Sequence, residues 1–149
     1  MKQILIATDG SPSALEAVEV GLELAKEQSA DVTFVHVAEP DEFHGGRAGA
    51  HAIAHKEEVD ESETALKTAA QAAEEAGVSY ALERISGETV ESIVAFADTK
   101  DVDVIVVGSR GRNALATALL GSVSHGVLRH AKRPVLVVKG TKVPAGTSA

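Results

Sequence analysis

A chain of 149 residues fits one domain, long enough to bury about 70% of its unfolded surface in a single core. It has no cysteine, which excludes disulfides, thiol catalysis and cysteine-ligated zinc, and no apolar run near the ~20 residues needed to span a bilayer. A net charge of −8, with one Tyr, three Phe and no Trp, counts against nucleic-acid binding, which wants a basic face and stacking aromatics.

Gln3 to Thr8 is a mostly apolar run halted by Asp9-Gly10-Ser11-Pro12, the pattern of a buried strand leading into a helix. Ser11 is a good N-cap, Pro12 suits the first helical position, and Leu15, Val18, Leu22 and Ala25 then recur at helical spacing, predicting a helix over 12–29. The opening MKQILIATDGS is too short in its apolar stretch for a signal peptide, so a soluble, cytoplasmic protein is expected. Val32 to Val37, rich in β-branched residues, reads as a second buried strand. Glu39 to Ala50, with Pro40, Gly45, Gly46 and Gly49, is expected to be a mobile loop that suits a lid or a partner surface.

From His51 to Ala76 the chain reads as a long amphipathic helix with Val59, Leu66, Ala70 and Ala73 on one face and Gly77 as its stop. Ser79 to Arg84 alternates, placing Tyr80 and Leu82 on one side, as expected of an edge strand with one wetter face. Gly87 to Thr99 carries Val90, Ile93, Val94 and Ala97 at helical spacing, and Val104 to Val107 is a short apolar strand. Beyond Gly121, Val123, Val127, Leu128 and Ala131 form the apolar face of a fourth helix, and Pro134 opens a last strand ending at Val138. The domain is expected over 1–140, with 141–149 a flexible tail.

Five apolar strands alternating with four helices call for an α/β fold, an open parallel sheet with helices on both faces and right-handed crossovers. In such sheets ligands sit at the carboxyl ends of the strands, where the winding reverses. If strands one and four are neighbours there, Asp9 and the loop after Gly108 share one crevice.

That loop carries the strongest functional signal. Gly108, Gly111 and Gly121-Ser122 are spaced Gly-x2-Gly-x9-Gly-Ser, after a buried strand and before a helix. A helix start offers unpaired N–H groups and a positive dipole end, a phosphate site in outline. Neither GxxxxGK[ST] nor GxGxxG is present, and glycine after a strand is equally a plain turn device. Charge adds to the case. Ser109 to Lys139 contains Arg110, Arg112, Arg129, Lys132, Arg133 and Lys139 and no acid, while all 22 acidic residues lie within 1–108; a cationic segment centred on the loop suits an anionic ligand, or else a solvated face.

Other polar residues have plainer readings. Asp9 fits a turn or cap as well as a ligand contact. His36, between apolar neighbours in a strand, fits a hydrogen-bonded structural histidine. His51 and His55, with His44 and Glu58 nearby, have a spacing that can bind a metal but fit a solvated helix start better, lacking HExxH. Arg110 and Arg112 suit either phosphate or solvent.

ILIATDGS at the start, His36-Val37, VVGSRG at 106–111, GSVS at 121–124 and RPVLVV at 133–138 together resemble the universal stress protein family over residues 2–139, and the glycine spacing resembles its ATP-binding branch. The resemblance implies an adenine nucleotide alpha hydrolase-like sheet of order 3-2-1-4-5 and a cytoplasmic homodimer paired through the last strand, Val135, Leu136, Val137 and Val138. It implies ATP, with or without Mg²⁺, as cofactor. Ala7 and Asp9 would lie against adenine and ribose, with Asp9 accepting from a ribose hydroxyl or lying near the metal. Val37 would give adenine a backbone contact and Val107 would pack near it. Gly108 and Gly111 would let the backbone pass the ribose and α-phosphate, and Gly121, Ser122, Val123 and Ser124 would supply donors to the phosphates.

The function so implied is an ATP-binding regulatory module of the stress response. A slow ATPase or phosphotransferase is the first alternative; phosphoryl transfer usually needs a Lys, a metal-binding carboxylate and a base, and here only Asp9 and the arginines stand in. A nucleotide-independent dimeric interaction protein is the second. A flavin site would want flanking aromatics and a phospho-receiver site clustered acids, and neither pattern is present.

Overall fold

Ile4, Leu5 and Ile6 are consecutive and all fully buried, and Val104 to Val107 are buried almost as deeply. Consecutive strand residues face opposite ways, so both faces of these strands must be covered. The computed structural model, which describes residues 1–40, 48–110 and 120–140 but not the side chains of 48–60, meets that demand with a five-stranded parallel sheet.

Among the described residues the elements run β1 (Gln3–Ala7), α1 (Pro12–Gln28), β2 (Asp31–Ala38), α2 (Ala48–Ala76), β3 (Tyr80–Ser86), α3 (Thr89–Thr99), β4 (Val104–Gly108), α4 (Ser122–His130) and β5 (Val135–Val138). The strand order is β3-β2-β1-β4-β5, the 3-2-1-4-5 order expected. The tail expected over 141–149 and residues 41–47 of the expected loop lie outside the described residues. α2 starts at Ala48, three positions upstream of the expected His51.

Alternation along the strands divides the core. Ile4, Ile6, Val32, Phe34, Val104 and Val106 face α1 and α2; Leu5, Val35, Ile105 and Val107 face α3 and α4. The strand positions are as expected, but the helix faces are partly not. Leu15 is 36% and Leu128 45% exposed, although both sit in the expected apolar stripes. Small residues make the contacts instead. α1 approaches the sheet at Ala14, Ala17 and Gly21, and a Cβ on Gly21 would collide with the Ile6 side chain. α4 approaches α3 at Gly126, where a Cβ would stand 2.7 Å from Val90. On α2 the contact stripe is Ala65, Leu66, Ala69 and Ala73, with Ala70 at its margin and the Val59 side chain outside the described residues.

β3 is an edge strand as expected, with Leu82 41% exposed, while Tyr80 packs tilted against Phe34 at 6.3 Å between ring centroids.

At the opposite end of the sheet from the strand C-termini, the Asp103 carboxylate accepts from the N–H groups of Lys2 (2.6 Å) and Gln3 (2.9 Å). The Gln3 and Lys2 amides, with smaller help from the terminal amino group and Arg133, hold its pKa below the ordinary 3.8. A carboxyl with a lowered folded pKa contributes stability that is present above the unfolded value and lost as pH falls through the folded one. Asp103→Asn is therefore expected to lose less stability than the parent when acidified from about pH 6 to about pH 3, read as the shift in urea midpoint. The site is exposed, so the difference is small.

Candidate functional site

β1 is followed by β2 and β3 on one side, while β4, its other neighbour, is followed by β5 on the opposite side. The winding therefore reverses between β1 and β4, which pair from Ile4↔Val104 to Ile6↔Val106. Helices leave the two strand ends in opposite directions and open a crevice of ≈ 150 Å³ between them. One wall is apolar, from Ala7, Val35, Val37, Ile93, Val107 and Val123; the polar lining is Thr8, Asp9, His36, Thr89, Arg110 and Ser124.

The two helices that begin here differ in how their first turns are satisfied. At α1 the Ser11 hydroxyl accepts from Ala14 N–H (3.2 Å), the Ser11 carbonyl accepts from Leu15 N–H (2.9 Å), and Pro12 has no N–H to satisfy. Asp9 Oδ1 takes the Ser11 N–H at 2.9 Å. In that first turn only the Ser13 amide has no acceptor among the described residues. At α4 the N-cap is Gly121, which has no side chain to cap with, and the first intrahelical bond runs from His125 N–H to the Gly121 carbonyl at 3.0 Å. Gly121 gives its own N–H to the Ser109 carbonyl (2.6 Å), so the amides of Ser122, Val123 and Ser124 have no intrahelical acceptor. Three donors and a positive dipole end thus stand at the crevice.

The expected site residues fall as follows. Ala7, Asp9, Val37, Val107, Gly108, Val123 and Ser124 all line the crevice, while Gly121 and Ser122 begin the helix beside it. Gly111, Arg112 and the His44, His51, His55 and Glu58 group lie outside the described residues or side chains. Asp9 is both a turn residue and a crevice residue: one oxygen holds the Ser11 amide, and no described residue partners the other. Ser124 is buried, and its hydroxyl reaches the carbonyls of Ser109 (3.1 Å) and Gly121 (3.0 Å). Its proton is therefore engaged with the protein, leaving its amide and oxygen lone pairs for a ligand. His36 is buried, and Nδ1 lies 2.9 Å from the Thr8 carbonyl; because that partner only accepts, Nδ1 carries the hydrogen and the ring ties β2 to the end of β1. Gly108 has a further reason to be glycine, since a Cβ there would stand 2.6 Å from Ser13 Oγ and 2.7 Å from the Ser13 carbonyl oxygen.

The cationic segment is not centred on the crevice. α4 carries Arg129, and then Lys132 and Arg133, to the other end of the sheet, where Arg133 binds Asp98 (3.2 Å) and Asp101 (2.5 Å). Arg110 lines the crevice and Lys139 follows the C-terminal end of β5. Thr89 and Ile93 line the crevice from α3, and the sequence offered no sign that either belongs to the site. Among the described residues no three His, Cys, Asp or Glu side chains gather as a metal site, and no helix is long and apolar enough to cross a membrane.

Comparison with known proteins places the chain among relatives. The family model described as "Universal stress protein family" matches residues 1–139. Universal stress protein MJ0531 of Methanocaldococcus jannaschii is 39% identical over 142 residues, 95% of this chain and 84% of that protein. Among solved structures, hypothetical protein MJ0577 superposes with a TM-score of 0.82 at 27% identity, covering 95% of this chain and 98% of that one. A universal stress protein solved in complex with cAMP gives a TM-score of 0.72 at 29% identity, covering 92% and 96%. The shared architecture is the adenine nucleotide alpha hydrolase-like fold.

Proposed function

The chain belongs to the universal stress protein family, and from that premise and the crevice geometry we propose that it binds an adenine nucleotide, ATP foremost, as a regulatory module of the stress response. The observation that carries this reading is the uncapped start of α4, whose Ser122, Val123 and Ser124 amides meet an apolar slot at the sheet's switch point. A nucleotide matches that division: a flat base for Ala7, Val37 and Val107, a ribose for the Asp9 carboxylate, and phosphates for the amides. The Gly-x2-Gly-x9-Gly-Ser spacing, which resembles that of the family's ATP-binding branch, supports ATP in particular, and on that resemblance Gly108 and Gly111 would border the ribose and α-phosphate. The relative solved with cAMP supports the adenine class.

Mg²⁺, where present, would screen the phosphate charge, with Asp9 the carboxylate placed to approach it. We further propose a cytoplasmic homodimer through β5, a short sheet edge whose apolar residues Val135, Leu136 and Val137 are only half-buried.

The test is titration of nucleotide-stripped protein with ATP, ADP and AMP, with and without Mg²⁺, by calorimetry. Saturable binding is expected, with phosphate release no faster than a blank. Absence of binding up to about millimolar nucleotide, a free energy weaker than about −4 kcal/mol, would sink the proposal. Release above the blank would make the protein an ATPase instead.

A further inference from the structure

Thr89 is the residue at the apolar end of the crevice whose hydrogen-bonding character is already committed. It opens α3, lines the crevice beside Ile93, and donates its hydroxyl to Glu39 Oε1 at 2.8 Å. The same carboxylate oxygen takes the Thr89 N–H at 3.2 Å, so two bonds from Thr89 converge on one acceptor at the end of β2. The α3 start needs no other partner, because the Glu88 side chain caps Val90 (3.1 Å) and Glu91 (2.6 Å). A threonine hydroxyl has one proton and two lone pairs. With its proton held by Glu39, Oγ1 can offer the crevice only lone pairs.

We infer that Thr89, oriented by Glu39, is a specificity residue that selects a base bearing an amino group over one bearing a carbonyl at the same position. This rests on the nucleotide reading above and adds a chemical reason for preferring adenine to hypoxanthine. An exocyclic amine donates into the Oγ1 lone pairs; a carbonyl there meets lone pair against lone pair, and a site built for one hydrogen-bonding sense rejects the other. The placement agrees. Thr89 stands with Val35 and Val37 at the β2 side of the crevice, whereas the open amides of α4 stand beyond β4. A nucleotide with its phosphates on α4 therefore directs its base toward Thr89. Glu39 and Glu88 also put two carboxylates on that side, which disfavours the reversed orientation.

The experiment compares ADP with IDP, which differ at the base edge by amine against carbonyl at C6 and by acceptor against N–H donor at N1, on nucleotide-stripped full-length protein by calorimetry, so the change of ratio between variants is the readout. The wild type is expected to prefer ADP. Thr89→Val, which keeps the shape and removes the hydroxyl, should lower the ADP/IDP affinity ratio by about fivefold to tenfold, the worth of one hydrogen bond. Thr89→Ser should keep the wild-type ratio, and Glu39→Ala, which frees the hydroxyl to rotate and donate, should lower the ratio chiefly by improving IDP. Thermal melts of each variant separate a folding defect from a change of preference. A ratio in Thr89→Val within twofold of wild type would overturn this inference and leave the nucleotide reading standing. Binding of neither nucleotide by the wild type would overturn both.

Discussion

Gly121→Asp is expected to weaken ADP and ATP binding by about 100-fold or more while leaving the protein at least as stable as the parent. Gly121 has φ −72° and ψ 164°, an ordinary extended conformation open to any residue, so the substitution imposes no backbone strain. Aspartate is moreover a strong N-cap. Its carboxylate would accept from the first-turn amides that Gly121 leaves open, stabilising α4 by roughly 0.3 kcal/mol, since glycine is already a tolerated N-cap. Those amides are the donors assigned to phosphate, so the new carboxylate both occupies them and repels the ligand. Together these effects amount to about 3 kcal/mol, or about 100-fold. Calorimetry and thermal melting give opposite signs for this one substitution. A parallel loss of binding and stability would indicate a damaged fold, and unaltered binding would remove α4 from the site.

Gly108→Ala is expected to cost about 2–3 kcal/mol of stability, read as a lower urea midpoint at constant slope. A methyl group at 108 would meet Ser13 Oγ at 2.6 Å, its carbonyl oxygen at 2.7 Å and its carbonyl carbon at 2.8 Å. Two of these atoms are helix backbone, which no side-chain rotation can move aside. Relief requires shifting the first turn of α1 away from β4, and with it Asp9 and the crevice floor, so nucleotide affinity should fall as well. Gly77→Ala is the useful contrast. Gly77 has φ +70° but nothing within 4 Å of a Cβ, so alanine there costs only the left-handed strain of about 1 kcal/mol. Equal costs at the two positions would mean that α1 does not sit on Gly108 as described.

The strands were legible because burial on both faces leaves unbroken apolar runs such as Ile4-Leu5-Ile6 and Val104 to Val107, ended by Asp-Gly or Gly. Their order was not legible from periodicity, which says nothing about which strands touch; it followed from the family resemblance. Helix faces were legible only where large residues make the contact. Leu15 and Leu128 keep helical spacing yet point outward, because Ala17, Gly21 and Gly126 bring the helices too close for leucine. The same limit applies to the site. Asp9 and the glycines were visible through turn chemistry, whereas Thr89 and Ile93 come from α3, whose packing beside β2 and α4 has no local sign in the sequence. The cationic run disperses because residues close along the chain need not be close in space. α4 spans nine residues, about 13 Å at 1.5 Å per residue, enough to carry Arg129, Lys132 and Arg133 away from the phosphate end.

That displacement bears on how the protein would exchange the proposed nucleotide. With much of the basic charge at the foot of the sheet, and Asp9, Glu39 and Glu88 at its mouth, a protein of net charge −8 repels an approaching nucleotide at long range. Attraction begins only close to the crevice, within the reach of Arg110 and a few amides. Capture is then slow for a small ligand, and added salt, which shortens the range of repulsion to about 8 Å at physiological strength, quickens it. Affinity must come from slow escape rather than rapid encounter. On the proposed nucleotide reading, a molecule built this way would average nucleotide supply over its own residence time and pass over brief fluctuations, a property better suited to reporting a sustained change of state than to turning over substrate.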